Sequence, residues 1–179
     1  MMASENSVEG EWQQVGWRSP SNIALIKYWG KAGWQIPMNP SLSFTLSNAY
    51  TETVLLFKKK KVKNKKIEFL YLFEGNENYE FSDHIKKYLN NILSEFPFLA
   101  DYYFRFESKN SFPHSAGIAS SASSMSALAL CLCSIELQIN KTVDSLGFYQ
   151  KASHTARMGS GSASRSVYGG FNAWEKHMS

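Results

Sequence analysis

The chain has 179 residues, of which 44% are hydrophobic. This content excludes disorder throughout, and the length suits one domain with a real core. The formal net charge is +4, but a lysine-rich segment at residues 58–66 produces it, and the rest of the chain is net negative. A nucleic-acid-binding surface needs basic residues spread over a face, so we expect no nucleic-acid partner.

Targeting signals are not evident in the sequence. No uninterrupted apolar run reaches the roughly 20 residues of a membrane-spanning helix. Residues 1–11 are polar and acidic, without the charged and then apolar pattern of a signal peptide. We therefore predict a cytoplasmic protein without a membrane partner, with a disordered lead at residues 1–10 and one domain at residues 11–179.

The first motif lies in an extended arm predicted at residues 21–28, after a short strand at residues 11–16. Lys27 and Lys31 flank Tyr28-Trp29-Gly30. Two ammonium groups and a phenol around a glycine suit an anionic ligand, because an ammonium group is a compact charge for phosphate oxygens. The alternative is that both lysines are ordinary surface residues.

Hydrophobic periodicity predicts the elements that follow. Period-two alternation indicates strands, and a period of 3.6 indicates helices. The predicted strands lie at residues 41–46, 51–57, 67–73, 102–108 and around 169–175. The predicted helices lie at residues 82–96, with Ser82 as N-cap, from about residue 125 onward, and at residues 144–154. The runs at 51–57 and 67–73 predict a hairpin with the lysines at its solvated tip.

The second motif is a run of small residues at 111–124 that feeds an apolar helix. Met125, Leu128 and Leu132 recur at helical spacing, so the serines lie where a loop becomes a helix N-terminus. Backbone N–H groups are unpaired there, the helix dipole is positive, and small side chains let an anion approach closely. The pattern predicts a phosphate cradle; the alternative is a serine-capped helix with a tightly packed face.

The third motif is a second run of small residues, at 159–164, that ends in Arg165. A flexible linker is the alternative. Apolar Val167, Tyr168 and Phe171 follow at once, however, which places the run inside a fold.

The cysteine content offers no chemistry of its own. Cys131 and Cys133 are the only cysteines, and they lie two residues apart on a predicted helix. They cannot bridge each other in that geometry, and no further ligand stands nearby. We interpret both as core residues.

Together and in this order, the three motifs resemble the GHMP kinase superfamily. Ala119, where the kinases of that superfamily usually carry glycine, is similar to its diphosphomevalonate decarboxylase branch. The resemblance implies an α+β fold of the ribosomal S5 domain 2-like type, an antiparallel sheet with helices on one face. It extends to the N-terminal half of that family only, so we expect the C-terminal domain to be absent and the domain to be truncated.

The resemblance also implies a set of site residues. The ATP-binding set is Pro113, Ser115, Ala116, Gly117, Ile118, Ala119, Ser120, Ser121, Ala122 and Ser123. The substrate-binding set is Tyr28, Trp29, Gly30, Lys31, Ser160, Gly161, Ser162, Ala163, Ser164 and Arg165, with Ser164 where the family has cysteine. The catalytic set is Arg165 for the substrate carboxylate, Asn22 to orient that arginine, Lys27 and Ser121. Ser41 and Ser43 would line the substrate pocket, and His84 or Lys86 would replace a family arginine. No protein metal ligand is expected.

The implied activity is that of an ATP-dependent carboxy-lyase of isoprenoid biosynthesis. ATP, with Mg²⁺, would phosphorylate the tertiary hydroxyl of mevalonate 5-diphosphate, and loss of phosphate and carbon dioxide would give isopentenyl diphosphate. Family enzymes use an aspartate from their C-terminal half, and none of Asp83, Asp101 and Asp144 lies in a glycine-serine motif. We therefore expect most of the binding surface without the complete active site.

Other functions remain open from the sequence. One is a related decarboxylase or 3-kinase acting on mevalonate or its monophosphate, and another is a non-catalytic ATP-binding remnant. RNA binding is a third, by analogy of fold with a ribosomal protein domain alone. An incomplete domain would expose an apolar face near Phe171 and Trp174, which favours either a homodimer or pairing with a separate C-terminal half.

Overall fold

The computed structural model describes residues 8–27, 29–33, 36–61, 64–113, 120–141 and 145–175. The strands are β1 (Val8–Ile26), β2 (Lys31–Ala32), β3 (Ile36–Pro37), β4 (Ser41–Lys60), β5 (Glu68–Phe73), β6 (Asn76–Glu77), β7 (Tyr102–Asn110) and β8 (Phe171–Trp174). The helices are α1 (Tyr79–Asn91), α2 (Ser120–Asn140), α3 (Ser145–Gly159) and the short α4 (Ala163–Ser166). A 3-10 turn occupies Pro97–Ala100.

Six strands form the main sheet, in the order β1-β4-β7-β5-β6, with β8 paired to β4. The pairs are antiparallel except β5–β7, which is parallel. Leu55 and Phe57 of β4 and Phe104 and Phe106 of β7 are buried and face the helices. The predicted α+β class is therefore confirmed, and the sheet differs from the expectation in its one parallel pair.

The predicted hairpin of residues 51–57 and 67–73 is wrong. Both segments are strands, but β7 lies between β4 and β5. Period-two alternation reports which face of a strand is buried, not which strand is its neighbour. Phe106 and Phe104 pair with Leu55 and Phe57 and give the sheet centre its buried aromatic rows.

The lysine-rich segment is not a uniformly solvated tip, which corrects a second expectation. Lys60 is only 6% exposed. Its Nζ donates to the carbonyl oxygens of Lys66 and Ala100, the latter at 3.1 Å, and lies 3.7 Å from the Glu68 carboxylate. Burial lowers the pKa of Lys60, and Glu68 opposes the shift. This ammonium group ties the end of β4 to the connection that follows.

β1 is longer than the strand that the sequence predicts. It begins at Val8, inside the predicted disordered lead, of which residues 1–7 lie outside the described part of the chain. It also takes in the arm predicted as a separate element, because pairing with β4 continues from Pro20 through Asn22 across a register shift. A proline has no N–H for the ladder, so a bulge accommodates it without ending the strand.

The central helix is α2, which lies on β1 and β4 and contacts α3 and α4. Trp17 Nε1 of β1 donates to Ser134 Oγ of α2 at 2.7 Å. By length and composition α2 would also pass as a membrane-spanning helix, against expectation, but 72% of its apolar window is buried inside the fold. Cys131 and Cys133 are both buried in it, so their interpretation as core residues is confirmed.

The first helix, α1, begins earlier than predicted. Asn78 Oδ1 accepts a hydrogen bond from Phe81 N at 2.9 Å and caps it, so Ser82 is not the N-cap. Asn and Ser are comparably good caps, and the sequence does not rank them. The helix ends at Asn91, while its predicted buried face is confirmed at Ile85 and Leu89.

The sheet face away from the helices carries a groove of about 700 Å³. Arg18 Nε and Lys109 Nζ both donate to the Glu52 carboxylate there, each at 2.9 Å. None of the predicted ATP or substrate residues lines this groove. The predicted ATP and substrate residues that the structure describes lie instead on α2 and the loop before it, on the α3–α4 turn and on the loop that follows β1.

Candidate nucleotide and substrate site

The turn between α3 and α4 carries the third motif. Ala163 N donates to Ser160 O at 2.8 Å, and Ser164 Oγ donates to Gly161 O at 3.1 Å, so local hydrogen bonds close the turn. The Ser160 and Ser162 hydroxyls lie 3.5 Å apart, and both residues are half-buried. Gly161, Ala163 and Ser164 are buried. The Ala163 and Ser164 side chains point into the fold, whereas the Ser160 and Ser162 residues stay partly accessible, so their hydroxyls are the candidates for contact with a ligand.

Two buried polar residues of β1 hold this turn from the sheet side. Asn22 Nδ2 donates to Ser162 O at 3.1 Å and to Ser166 Oγ at 2.6 Å. Ser19 Oγ donates to Ser166 O at 2.8 Å. The structure thus brings Asn22 to the turn that bears Arg165, and these bonds hold that turn; the orientation of Arg165 by Asn22 stays a prediction.

Arg165 lies in the interior and is only 4% exposed. Its Nη1 donates to Ser41 Oγ at 2.6 Å, and its guanidinium carbon lies 5.4 Å from the ring centroid of Trp174. A cavity of about 370 Å³ opens beside it, and Arg157 and His154 also line this cavity. A buried guanidinium with a planar fork of donors suits a carboxylate or a phosphate.

Trp174 contacts Arg165, and the sequence carries no signal for this contact. Trp174 was expected on an exposed apolar face, but it is 9% exposed, which makes that expectation wrong. The same expectation is confirmed for Phe171, which is 75% exposed. Trp174 pairs with Ser41 in the β4–β8 register, and a register between distant strands cannot be derived from alternation.

The loop that follows β1 carries the first motif, and Asn39 organises it. Asn39 Oδ1 accepts from Trp29 N at 2.7 Å, and its Nδ2 donates to Lys27 O at 3.2 Å. Met38 N donates to Gly30 O at 3.0 Å and closes the β2–β3 hairpin. The Lys27 and Trp29 side chains are exposed, so both are open to a ligand or a partner surface.

Part of this first motif cannot be placed. Tyr28 and the side chain of Lys31 lie outside the described residues, although the backbone of Lys31 begins β2. Their predicted contacts with the diphosphate therefore remain predictions.

The second motif is described from the start of α2. Ser121 is exposed and Ser120 is half-buried, whereas Ala122 and Ser123 are fully buried. Ser123 Oγ lies 2.7 Å from Thr51 Oγ1 and also donates to Ser120 O at 3.1 Å. The side chains of Ala122 and Ser123 pack inward, so any contact of these residues with a nucleotide would come from their backbone N–H groups, as the cradle prediction has it.

The loop before α2 is described as far as Pro113, which is exposed. The predicted cradle residues that lie outside the described part are Ser115, Ala116, Gly117, Ile118 and Ala119. The described part of α2 begins at Ser120, directly after these residues, so the cradle of backbone N–H groups remains a prediction.

Gly159 has a packing role that the motif conceals. A Cβ at this position would stand 2.1 Å from Met125 Cε and 3.1 Å from Tyr88 Cδ2. The residue is the last of α3, so its missing side chain lets α3 approach α2 and α1 closely. The first glycine of the third motif therefore serves helix packing.

His84 and Lys86 lie on α1 and are exposed. Lys86 lines a groove of about 290 Å³ with Tyr79 and Asp83, and no predicted ATP or substrate residue lines that groove. The structure does not bring these two residues to the turn that bears Arg165. Across the described ranges, no group of three or more His, Cys, Asp or Glu side chains is placed to hold a metal ion.

Comparison with known proteins identifies what this arrangement resembles. A family model for the diphosphomevalonate decarboxylase-like N-terminal domain matches residues 19–179. The diphosphomevalonate decarboxylase of Debaryomyces hansenii is 35% identical over 167 residues, which covers 88% of this chain and 41% of that protein. The chain thus spans less than half the length of this relative.

Solved structures agree with the sequence comparison. One is the mevalonate diphosphate decarboxylase from Enterococcus faecalis, whose structure was studied for ATP binding mediated by mevalonate diphosphate. It superposes on this chain with a TM-score of 0.74 at 35% sequence identity, and the match covers 94% of this chain and 49% of that chain. A structure of MDDEF in complex with MVAPP, AMPPCP and magnesium gives a TM-score of 0.73 at 35% identity, covering 94% and 48%. These likenesses confirm the predicted fold class.

Proposed function

Since the chain belongs to the family of diphosphomevalonate decarboxylase-like N-terminal domains, we propose that it forms the ATP- and substrate-binding part of a diphosphomevalonate decarboxylase. The reaction phosphorylates mevalonate 5-diphosphate at the expense of ATP and then releases phosphate and carbon dioxide, giving isopentenyl diphosphate. The observation that supports this most directly is the buried Arg165, whose side chain borders a cavity of about 370 Å³ and whose backbone N–H donates to Ser162 O at 3.3 Å in the turn of the third motif.

The substrate would be held at both ends. Arg165 would pair bidentately with the carboxylate, and the Ser160 and Ser162 hydroxyls would donate to oxygens of the same molecule. Lys31, with Tyr28, Trp29 and Gly30, would contact the diphosphate, because an ammonium group is a strong point charge for phosphate. Lys27 would act nearer the reacting carbon. Fixing the carboxylate also fixes the carbon–carbon bond whose electron pair forms the new double bond.

The nucleotide would lie at the start of α2. Backbone N–H groups of Ser120–Ser123 and of the loop before them would bind its phosphates, and the exposed Ser121 hydroxyl would lie near the γ-phosphate. Magnesium supplies charge neutralisation between phosphates during phosphoryl transfer. The Ser120 and Ser121 hydroxyls would be available to a magnesium ion that ATP carries.

Catalysis needs a base or charge partner in addition to these binding groups. The aspartate of family enzymes would come from their C-terminal half, and this chain covers 41% of the Debaryomyces hansenii relative. We infer that residues 1–179 bind both ligands in the cytoplasm, and that turnover requires groups from the part of the relatives that this chain does not match.

Calorimetric titration tests the binding function. Mevalonate 5-diphosphate should bind, and Arg165→Lys should weaken it at least about tenfold, since a bidentate carboxylate contact would be lost. MgATP affinity should not change. Arg18→Lys, on the opposite sheet face, is the control and should leave both affinities unchanged. Absence of binding by either ligand to the unmodified chain would refute the proposal.

A turnover assay tests the second part. ADP and carbon dioxide release from this chain alone, with ATP and mevalonate 5-diphosphate, would show that the site is complete and that our inference is wrong. Comparing the binding of mevalonate, its monophosphate and its diphosphate identifies the substrate. Strongest binding of the monophosphate would favour a related decarboxylase or 3-kinase.

A further inference from the structure

Arg165 is held in place by a cross-strand pair of residues. Ser41 of β4 and Trp174 of β8 are directly opposite each other in the antiparallel register. Opposite residues of such a pair project their side chains to the same face of the sheet. Both residues are buried, and both contact the guanidinium, one through a hydroxyl and the other through an aromatic ring.

The two contacts constrain different motions of the guanidinium. Ser41 Oγ accepts from Arg165 Nη1 at 2.6 Å and itself donates to Ile26 O at 2.7 Å, so the hydroxyl is fixed in its orientation by β1. This chain of hydrogen bonds determines where one Nη atom lies. The Trp174 ring, at 5.4 Å from the guanidinium carbon, attracts the cation and limits its displacement away from the ring.

We propose that Ser41 and Trp174 are positioning residues that fix the guanidinium plane of Arg165, and thereby select ligands that carry a carboxylate. The inference rests on the proposed function for the identity of the ligand. Bidentate recognition of a carboxylate requires a defined plane, because both N–H donors must point at both oxygens. A guanidinium that rotates freely still attracts an anion but no longer distinguishes a planar carboxylate.

The first measurement concerns the contacts of Ser41 and Trp174 with Arg165, which we call the clamp, and it needs no ligand. Nitrogen-15 NMR of arginine side chains, with Arg165→Lys to assign the signal, should show slow rotation about the Nε–Cζ bond of Arg165 in the unmodified chain, because this rotation exchanges the positions of the two Nη atoms. Ser41→Ala and Trp174→Leu should each accelerate that rotation, and Trp174→Phe should preserve it because a ring remains. Unchanged rotation in both Ser41→Ala and Trp174→Leu would overturn the inference.

The second measurement compares two ligands by calorimetry. Mevalonate 5-diphosphate carries a carboxylate, and isopentenyl diphosphate carries only the diphosphate. Ser41→Ala and Trp174→Leu should each lose about tenfold in affinity for the first, with less than about a twofold change for the second. Equal losses for both ligands would indicate a general structural defect and would contradict selective positioning.

Two matched control variants distinguish selective positioning of Arg165 from general damage to the fold. Phe171→Leu removes an exposed ring from the same strand as Trp174, and Ser47→Ala removes an exposed hydroxyl from the same strand as Ser41. Neither should change the ratio of affinities. The unmodified chain could fail to prefer mevalonate 5-diphosphate while Arg165 still rotates slowly and depends on Ser41 and Trp174. That result would refute the proposed function and would leave the positioning of Arg165 by these two residues intact.

Discussion

At the scale of single residues, Asn22 is predicted to link strand β1 to the site. Its amide donates to Ser162 O and Ser166 Oγ, which are both in the turn that bears Arg165. Asn22→Ala leaves these acceptors without their donor, which should cost about 1–3 kcal/mol of unfolding free energy. Urea denaturation measures that loss, and calorimetry should show weaker binding of mevalonate 5-diphosphate.

The control for Asn22 is Asn90→Ala. Asn90 is exposed on α1, and its amide donates to Lys86 O of the same helix at 2.8 Å. Alanine favours the helix, so this variant should be as stable as the unmodified chain or slightly more so. Equal stability of both variants would show that Asn22 contributes no more than an ordinary surface residue.

Lys60 gives a residue-scale prediction that depends on pH. Lys60→Met removes the donor to the Lys66 and Ala100 carbonyls and should cost about 1–3 kcal/mol at pH 7. Because burial lowers the folded-state pKa of Lys60 below 10.5, the unfolded chain binds more protons between the two values. Stability of the unmodified chain, relative to Lys60→Met, should therefore rise with pH in that window.

The control for the pH series on Lys60 is a substitution of a neighbouring lysine that is exposed. Lys59 is exposed on β4, so Lys59→Met should leave unfolding free energies unchanged. Urea denaturation at a series of pH values, from neutral pH to about the unfolded-state pKa of lysine, measures the unfolding free energy of each variant. A relative stability that falls with rising pH would contradict the assigned direction of the pKa shift.

At the scale of elements, the packing of α3 on α2 and α1 requires a glycine. Gly159→Ala places a Cβ against Met125 and Tyr88, both of them buried, and should destabilise the protein by about 1–3 kcal/mol through overpacking. Gly16→Ala is the control, because its Cβ would meet Val54 Cγ2 at an ordinary 3.7 Å. Thermal unfolding of both variants measures the difference, and equal melting temperatures would show that the helices adjust freely.

Elements were predictable from the sequence where local periodicity decides them. The aromatic alternation of β7 and the apolar period of α2 report burial directly, and both elements form as expected. Pairing partners are set by contacts between distant segments, which explains why β5 was expected beside β4 and lies beside β7. The same limit applies to the site: Arg165 and Asn22 carry motif signals, whereas the contact of Trp174 with Arg165 exists only through the β4–β8 register.

At the scale of the whole molecule, apolar side chains remain exposed around the ends of β1 and β8. These are Leu25, Ile26, Trp29, Met38 and Phe171. Large exposed apolar patches favour association, so we expect the chain to self-associate as its concentration rises. The double variant Leu25→Ser and Phe171→Ser should remain monomeric in sedimentation velocity. Tyr79→Ser, on α1 and equally exposed, is the control; a monomer at every concentration would contradict the prediction.

The reactivity of the Cys131 and Cys133 thiols depends on whether the chain is folded. Burial raises the pKa of Cys133 to about 12 and that of Cys131 further. In the folded chain at pH 8 the reactive thiolate is therefore nearly absent, and both thiols are shielded as well. Since the unfolded thiols lose their protons near 9.0, the unfolded state binds fewer protons above that pH. Stability should thus fall as pH rises from 9 toward the folded-state values.

Thiol labelling then becomes an assay for nucleotide binding by the folded chain. At pH 8, modification of Cys131 and Cys133 requires unfolding, so its rate follows the unfolded fraction. A ligand that binds only the folded state reduces that fraction, and MgATP at ten times its dissociation constant should slow labelling roughly tenfold. Ser94→Cys adds a thiol at an exposed position and should react quickly at any MgATP concentration. If the labelling rate of Cys131 and Cys133 does not change with MgATP concentration, the start of α2 binds no nucleotide in the folded chain.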